Sequence, residues 1–272
     1  MSGCYAVASG KGGVGKSVIT ANLAAALAAN GTRTLIIDAD IGLRSQDAIL
    51  SLENRVVYDL LDLSKGDCSP DQAILASEEI PSLHLLPAAQ FERAKSLEPK
   101  KLRKIIHRLR ETYDYIFIDC PAGIERGLRN VLNAGVDETI LVVTPDDISV
   151  RSAERAAQVM EEKGSPRPRL IVNRLNSQLI RSGEMMSAQT VSQVLDLQLL
   201  GAVPDDPAVY RTLLSHGLFI HYDCEARSAV MRIASRLQGR NLPVAAYGSK
   251  RSNPFRRLFS GSLKEVAPID VH

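Results

Sequence analysis

A glycine-rich segment near the start of the chain constrains its fold more than any other feature. Residues 10–17 have the spacing GxxxxGK[ST], in which Lys16 is the lysine and Ser17 the hydroxyl residue. An apolar run over residues 4–8 precedes the segment, and an alanine-rich helical pattern follows it. A glycine loop between a strand and a helix turns its backbone N–H groups toward phosphate groups. The sequence therefore predicts a nucleotide-binding loop.

The residue types in this loop predict its ligands. Lys16 is expected to bridge the β- and γ-phosphates, and the hydroxyl of Ser17 is expected to bind Mg²⁺. ATP and Mg²⁺ are therefore the predicted cofactors. The expected nucleotide-binding residues of the loop are Gly10, Lys11, Gly12, Gly13, Val14, Gly15, Lys16, Ser17 and Val18.

Short apolar runs alternate with helical patterns along the chain. The runs are continuous rather than alternating in hydrophobicity, which indicates strands covered on both faces. They span residues 4–8, 35–38, 83–87, 115–119, 139–143, 170–173 and 199–203. The main helical patterns span residues 17–30, 99–113, 149–163 and 223–237. This alternation predicts an α/β fold, a doubly wound and mainly parallel sheet flanked by helices, as in P-loop NTPases.

A change of composition near Asn241 predicts the domain organisation. Residues 1–243 are expected to form the ATPase domain. Residues 244–253 are loop-like and are expected to act as a linker, and residues 254–272 form a separate short tail.

Composition argues against several other classes of protein. The 272-residue chain has a formal net charge of +2, too small to predict nucleic-acid binding. Its four cysteines are far apart and include no CxxC pair, so reduced thiols are expected rather than disulfides or a metal site. The sequence shows no signal-peptide pattern and no apolar stretch near the roughly 18 residues of a membrane span. A cytoplasmic protein is therefore expected.

Aspartates follow two of the predicted strands. Asp38 and Asp40 end the second apolar run, and Asp119 ends the fourth. The carboxyl ends of such strands converge on the ligand crevice of the sheet. Asp119 is therefore interpreted as the Walker B residue that holds Mg²⁺, the alternative being an aspartate that caps the next turn. For Asp38, a polar role at the strand end and a catalytic role both remain open.

The tail has the spacing of a short amphipathic helix with a basic rim. An Asn-Pro pair supplies a helix start before residue 255, and apolar and basic residues then recur at helical spacing. This pattern is typical of a helix that lies on an anionic membrane surface. A helix docked on the protein's own core and an unfolded basic tail are the alternatives. The predicted membrane-binding residues are Phe255, Arg256, Arg257, Leu258, Phe259 and Leu263.

The second lysine of the loop, Lys11, makes the motif more specific. Residues 9–17 resemble the deviant Walker A motif of the MinD/ParA ATPase family, and residues 38–44 and 119–125 resemble its switch segments. The resemblance implies that Lys11 reaches across an ATP-bound homodimer to the partner's phosphates. It also implies that Asp40 positions the attacking water or the water shell of the metal, and that Gly123 offers its N–H to the γ-phosphate. Lys11, Lys16 and Asp40 are thus the expected catalytic residues, and Ser17, Asp40 and Asp119 the expected metal-binding ones.

The resemblance extends to the base pocket and the late segments of the chain. Asn173 and Arg174 are placed to contact the adenine, although a turn-forming role remains open for Asn173, and Pro204 and Asp205 form the other wall. Ser45-Gln46 stands where the family has Asn-Leu, so the details of that loop are expected to differ.

The MinD branch of the family implies a function at the division site. Such a protein binds the cytoplasmic side of the cell membrane with ATP, recruits a MinC-like division inhibitor and is stimulated by a MinE-like activator. A ParA-like or flagellar-number partitioning ATPase is the main alternative. An iron–sulfur reductase ATPase and a non-catalytic scaffold are more distant alternatives. No specific nucleic-acid partner is expected.

Overall fold

A computed structural model describes residues 3–90, 97–124, 126–162 and 164–248. One eight-stranded sheet runs through it in the order β3-β4-β2-β5-β1-β6-β7-β8. All neighbouring strands pair in parallel except β3 with β4. The strands are β1 (Gly3–Ala8), β2 (Thr34–Asp38), β3 (Leu75–Ala76), β4 (Leu83–Leu86), β5 (Tyr115–Asp119), β6 (Glu138–Val143), β7 (Arg169–Leu175) and β8 (Leu199–Pro204).

Helices occupy most connections between the strands. The longer ones are α1 (Lys16–Ala28), α5 (Pro99–Leu109), α7 (Asp147–Glu162) and α11 (Glu225–Leu237). The shorter ones are α2 (Gln46–Ile49), α3 (Leu60–Lys65), α4 (Pro70–Ala73), α6 (Arg126–Leu132), α8 (Ser177–Ser182), α9 (Ala188–Leu195) and α10 (Pro207–Leu214). No helix in the described ranges has the length and apolar character needed to cross a bilayer.

The continuous hydrophobicity of the strands reflects two separate cores, one on each face of the sheet. In β1, Cys4 and Ala6 face the core that includes α5 and α7, whereas Tyr5 and Val7 face the core that includes α1 and α11. Every residue of β1 is buried. The structure therefore confirms the predicted doubly wound α/β fold, in which helices cover both faces of the sheet.

Helix α1 is central because it carries the glycine loop at its start. It packs on both β2 and α11, and its residues from Ile19 to Ala28 are buried. A helix rich in alanine can be buried on nearly all sides because its small side chains let both neighbours approach closely. The loop is therefore held by a helix that has little freedom to move.

The seven predicted strands are confirmed with ends shifted by at most two residues. The two-residue strand β3 was not predicted, since it is too short to show a pattern and pairs only at the edge of the sheet. The prediction of a helix over residues 99–113 was too long. The helix ends at Leu109, where the amide of Thr112 already bonds the carbonyl of Leu109 in a tighter turn.

The start of the predicted linker is packed rather than free. Residues 244–248 form neither helix nor strand, but Tyr247 is 9% exposed and Val244 packs against the core. Residues 249–253 lie outside the described part of the chain. So do the six predicted membrane-binding residues, Phe255, Arg256, Arg257, Leu258, Phe259 and Leu263.

The packing of β8 against α11 can be tested at Gly201. A Cβ atom at this position would lie 2.3 Å from both Cδ1 and Cγ1 of Ile233. We expect Gly201→Ala to lower the free energy of unfolding by about 1–3 kcal/mol through overpacking, as measured by urea denaturation. Adding Ile233→Val should recover part of the loss. A double variant whose loss equals the sum of the two single losses would contradict this explanation.

Candidate nucleotide site

The carboxyl ends of β1, β2, β5 and β7 converge on one open cleft of about 580 Å³. This volume lies in the range of small-molecule sites. Five parts of the chain line the cleft: the glycine loop with the start of α1, the loop after β2 with α2, the segment after β5, the end of β7, and the end of α10 with the segment after it. The lining residues include Gly12, Gly13, Lys16, Ser17, Asp40, Arg44, Ala122 and His216.

Two glycines of the loop are required by its geometry. Gly15 caps α1 with φ 89°, and a Cβ atom there would lie 2.5 Å from Nδ2 of Asn173. A Cβ atom at Gly10 would lie 2.1 Å from the backbone oxygen of Ser152, in the second turn of α7. The loop can therefore pass between α7 and β7 only without side chains at these positions.

A buried ion pair connects the loop to the end of β5. Nζ of Lys16 lies 2.5 Å from Oδ1 of Asp119 and 4.0 Å from Oδ2 of Asp40. The side chains of Lys16 and Asp119 are 6% and 0% exposed. Burial alone would lower the pKa of Lys16, but the charge and hydrogen bond of Asp119, together with Asp40, raise it above its usual value. Lys16 therefore stays an ammonium group poised for anionic oxygens.

The two aspartates after β2 have different surroundings. Asp38 is fully buried and accepts hydrogen bonds from the backbone N–H of Asp40 at 3.0 Å and of Gln46 at 3.1 Å. Burial raises the pKa of Asp38 to about 7, and the charge of Asp119 adds to this. Asp40 lines the cleft. Burial also raises the pKa of Asp40, with Lys16 opposing the shift. Asp38 thus organises the backbone of the loop, whereas Asp40 faces the ligand space.

Buried polar atoms beside the cleft fit a polar, hydrated ligand. The side-chain oxygens of Ser9 and Ser45 and Oε1 of Gln46 are buried and have no hydrogen-bond partner within the described chain. Buried polar atoms are normally satisfied, so each unpaired one needs an explanation. A phosphate chain with hydrated Mg²⁺ supplies donors and acceptors for such atoms, beside an ammonium and carboxylates suited to the same ligand.

The backbone N–H of Gly123 is engaged in this conformation. It donates to the carbonyl oxygen of Ser9 at 2.9 Å, and Gly123 has φ 89°. The neighbouring Ala122 lines the cleft. The segment after β5 therefore lies directly against the glycine loop, and its N–H must leave Ser9 before it can contact a phosphate.

The predicted base-pocket residues converge on a second, narrower cavity next to the loop. Asn173, Arg174, Pro204 and Asp205 all line it, together with Val18. Nδ2 of Asn173 donates to the backbone oxygen of Val14 at 2.9 Å. These residues come from the ends of β7 and β8, so the tertiary structure brings together what the sequence separates.

Lys11 lies apart from the cleft lining. Its Nζ is 3.9 Å from Oδ1 of Asp146, and the two side chains are 43% and 47% exposed. Burial opposes the shift, but hydrogen bonds from Thr144 and Ser149 and the charge of Lys11 lower the pKa of Asp146. Lys11 is therefore exposed at the surface, with a weak surface partner.

Gln46 is among the residues of the site that were missed at the level of the sequence. Gln46 is fully buried, and its Nε2 donates to Oδ2 of Asp119 at 2.6 Å. No motif predicts this contact. The only signal was the departure of Ser45-Gln46 from the family pattern.

Comparisons with known proteins agree with this arrangement. A ParA family model, described as the NUBPL iron-transfer P-loop NTPase, matches residues 1–238. The septum site-determining protein MinD of Bacillus subtilis is 39% identical over 248 residues, 90% of this chain and 92% of that protein. This chain belongs to the MinD family of P-loop ATPases. The 39% identity to MinD assigns the chain to the MinD branch of the ParA family. The iron transfer named in the family description does not.

Solved structures of MinD proteins support the same assignment. The MinC:MinD cell division protein complex of Aquifex aeolicus has a TM-score of 0.83 and 35% identity, covering 90% of this chain and 100% of that chain. MinD from Pyrococcus horikoshii, complexed with Mg-ADP, has a TM-score of 0.77 and 28% identity, covering 87% and 96%. The chain thus belongs to a family of septum site-determining P-loop ATPases, whose cofactors are ATP and Mg²⁺.

The buried ion pair of this MinD-family site can be tested without nucleotide. We expect Lys16→Met to lower the free energy of unfolding by about 3–5 kcal/mol at pH 7, because it leaves the Asp119 carboxylate buried without its cation. Lys11→Met removes an exposed pair and should change stability by less than about 1 kcal/mol. Equal losses for both variants in chemical denaturation would contradict this account.

Proposed function

We propose that this chain is an ATP-switched homodimer that binds the anionic cytoplasmic surface of the cell membrane and recruits a MinC-like division inhibitor there. One observation carries the proposal. A buried ammonium–carboxylate pair stands ready for phosphate and Mg²⁺ inside the cleft, while a second lysine of the same loop is exposed outside it. Such a division of roles suits a site that is completed by a second subunit.

Within one subunit, the glycine loop holds the phosphates. Backbone N–H groups of the loop and the start of α1 surround them, and Lys16 pairs with the β- and γ-phosphates. Ser17 and Asp119 hold Mg²⁺, and Asp40 orients the attacking water or the water shell of the metal. Mg²⁺ supplies neutralisation of the charge that develops on the phosphate oxygens. Asn173, Arg174, Pro204 and Asp205 hold the base.

Catalysis depends on dimerisation because of Lys11. Its ammonium group lies outside the cleft of its own subunit and would add positive charge at the partner's phosphates. Its pair with Asp146 is exposed and contributes little, so releasing it costs little. Gly123 turns its N–H from Ser9 to the γ-phosphate, which makes the segment after β5 sensitive to that phosphate.

The tail over residues 254–272 gives the dimer its membrane affinity, and residues 244–253 connect it to the domain over residues 1–243. Each buried apolar anchor would contribute about 1.5–3 kcal/mol and each basic residue about 1 kcal/mol near an anionic surface. Ordering about ten residues costs roughly 1–2 kcal/mol each, so one tail is marginal. Two tails on one dimer bind by avidity. The anchors and basic residues are Phe255, Leu258, Phe259, Leu263, Arg256 and Arg257.

Partners follow from the family. The Aquifex structure is a complex of MinD with MinC, which supports a MinC-like partner for this chain. A MinE-like activator of hydrolysis is part of the same proposal. The glycine loop and α7 approach each other at Gly10 and Ser152. In the proposed dimer, this part of the surface contacts the second subunit.

The membrane switch is tested by co-sedimentation with anionic liposomes. We expect pelleting with ATP, little with ADP, and none for a chain ending before Asn253, because only paired tails bind tightly. Liposomes of neutral lipid are the control for the basic residues. Equal pelleting in ATP and ADP would contradict the switch, and ATP-dependent binding to DNA instead of liposomes would favour a ParA-like partitioning function.

The role of Lys11 is tested separately by Lys11→Ala. We expect this variant to bind ATP but to elute as a monomer in size-exclusion chromatography with ATP, since the charge that joins the two sites is missing. Asp146→Ala removes the surface partner of Lys11, together with the hydrogen bonds that Asp146 accepts from Thr144 and Ser149, and should still dimerise. A stable ATP dimer of Lys11→Ala would contradict the cross-subunit role.

A further inference from the structure

Gln46 connects three parts of the site. Its Nε2 donates to Oδ2 of Asp119 at 2.6 Å and to the backbone oxygen of Ser17 at 3.1 Å. Its backbone N–H donates to Oδ2 of Asp38 at 3.1 Å. The loop after β2, the end of β5 and the first turn of α1 therefore meet at one side chain, which is 0% exposed.

The contacts of the amide define its orientation. The carboxylate of Asp119 and the carbonyl of Ser17 are both acceptors, so the NH₂ group must face them. Oε1 is then left buried with no partner in the described chain. A buried acceptor in a ligand site is satisfied when a donor arrives with the ligand.

Nucleotide binding changes what holds Asp119. In this conformation, Lys16 pairs with Oδ1 of Asp119 at 2.5 Å. Once Lys16 turns to the phosphates, Gln46 makes the shortest remaining side-chain hydrogen bond to Asp119, since the Thr20 hydroxyl lies at 3.5 Å. The orientation of this carboxylate therefore depends on Gln46 when the cation must bind.

We propose that Gln46 is a positioning residue of the Mg²⁺ site. Its amide holds the Asp119 carboxylate, and its Oε1 accepts a hydrogen bond from a water molecule of the hydrated cation. The inference rests on the assignment of Ser17 and Asp119 to Mg²⁺ in the proposed function. Hydrogen-bonding partners of this kind typically change metal affinity 10–100-fold, roughly, when they are removed.

The test is a Mg²⁺ titration of bound fluorescent N-methylanthraniloyl-ADP in the wild type and in Gln46→Met, which keeps the length of the side chain without its polar atoms. We expect the half-saturating Mg²⁺ concentration to rise about tenfold or more. Binding in EDTA should change less than about twofold, because Lys16 and the loop amides are intact. If Gln46→Met does not fold, Gln46→Asn, whose amide is one methylene too short to reach Asp119, is expected to show the same rise.

Asn22→Leu is the matched control. Asn22 is also buried, and its side-chain amide makes hydrogen bonds to the backbone of Val18 and Ile220. It makes no hydrogen bond to Asp119. It is expected to lose stability without a change in the Mg²⁺ requirement. A Gln46→Met protein that behaves like Asn22→Leu, while Asp119→Asn raises the requirement, would overturn the inference and leave the proposed function standing. If Asp119→Asn also leaves the requirement unchanged, the assignment of the metal site falls and the inference with it.

Discussion

The ion pair between Lys16 and Asp119 is the interaction on which the rest of the site depends. Both groups are almost completely removed from water, so each would be costly to bury without the other. The pair ties the end of β5 to the first residue of α1 and so sets the position of the glycine loop between them. In the proposed function, a phosphate group replaces Asp119 as the anionic partner of Lys16, so the loop already holds a buried cation where phosphate is expected to bind.

The groups around this pair distribute its effect over the cleft. Asp38 accepts hydrogen bonds from two backbone N–H groups of the loop after β2. Gln46 joins the same loop to Asp119 through its side-chain amide. On the other side, Gly123 bonds the carbonyl of Ser9. Two segments are expected to respond to the γ-phosphate. The loop after β2 is joined to the ion pair by one hydrogen bond, and the segment after β5 is joined to the glycine loop by another. A change in the partner of Lys16 can reach both over short distances.

Much of the fold follows from local patterns. Seven buried strands and four long helices could be located because continuous apolar runs and helical periodicity depend only on neighbouring residues. The end of α5 could not be located, because it depends on the geometry of a tight turn at Leu109. The strand β3 could not be located either, because it forms only by pairing with β4 at the edge of the sheet. Residues 244–253 were predicted to be a loop-like linker, and Tyr247 within this segment is buried.

The sequence by itself determined the glycine loop, the strand-end aspartates and the order of elements, because those signals lie within short stretches of chain. Only the tertiary structure decided how these residues meet. It separated Asp38, which supports backbone, from Asp40, which faces the cleft, and it placed Asn173 against Val14 across the loop. It also brought Gln46 to Asp119, 73 residues away. Such contacts form because parallel strands end side by side, and a local sequence pattern does not show which strands are neighbours.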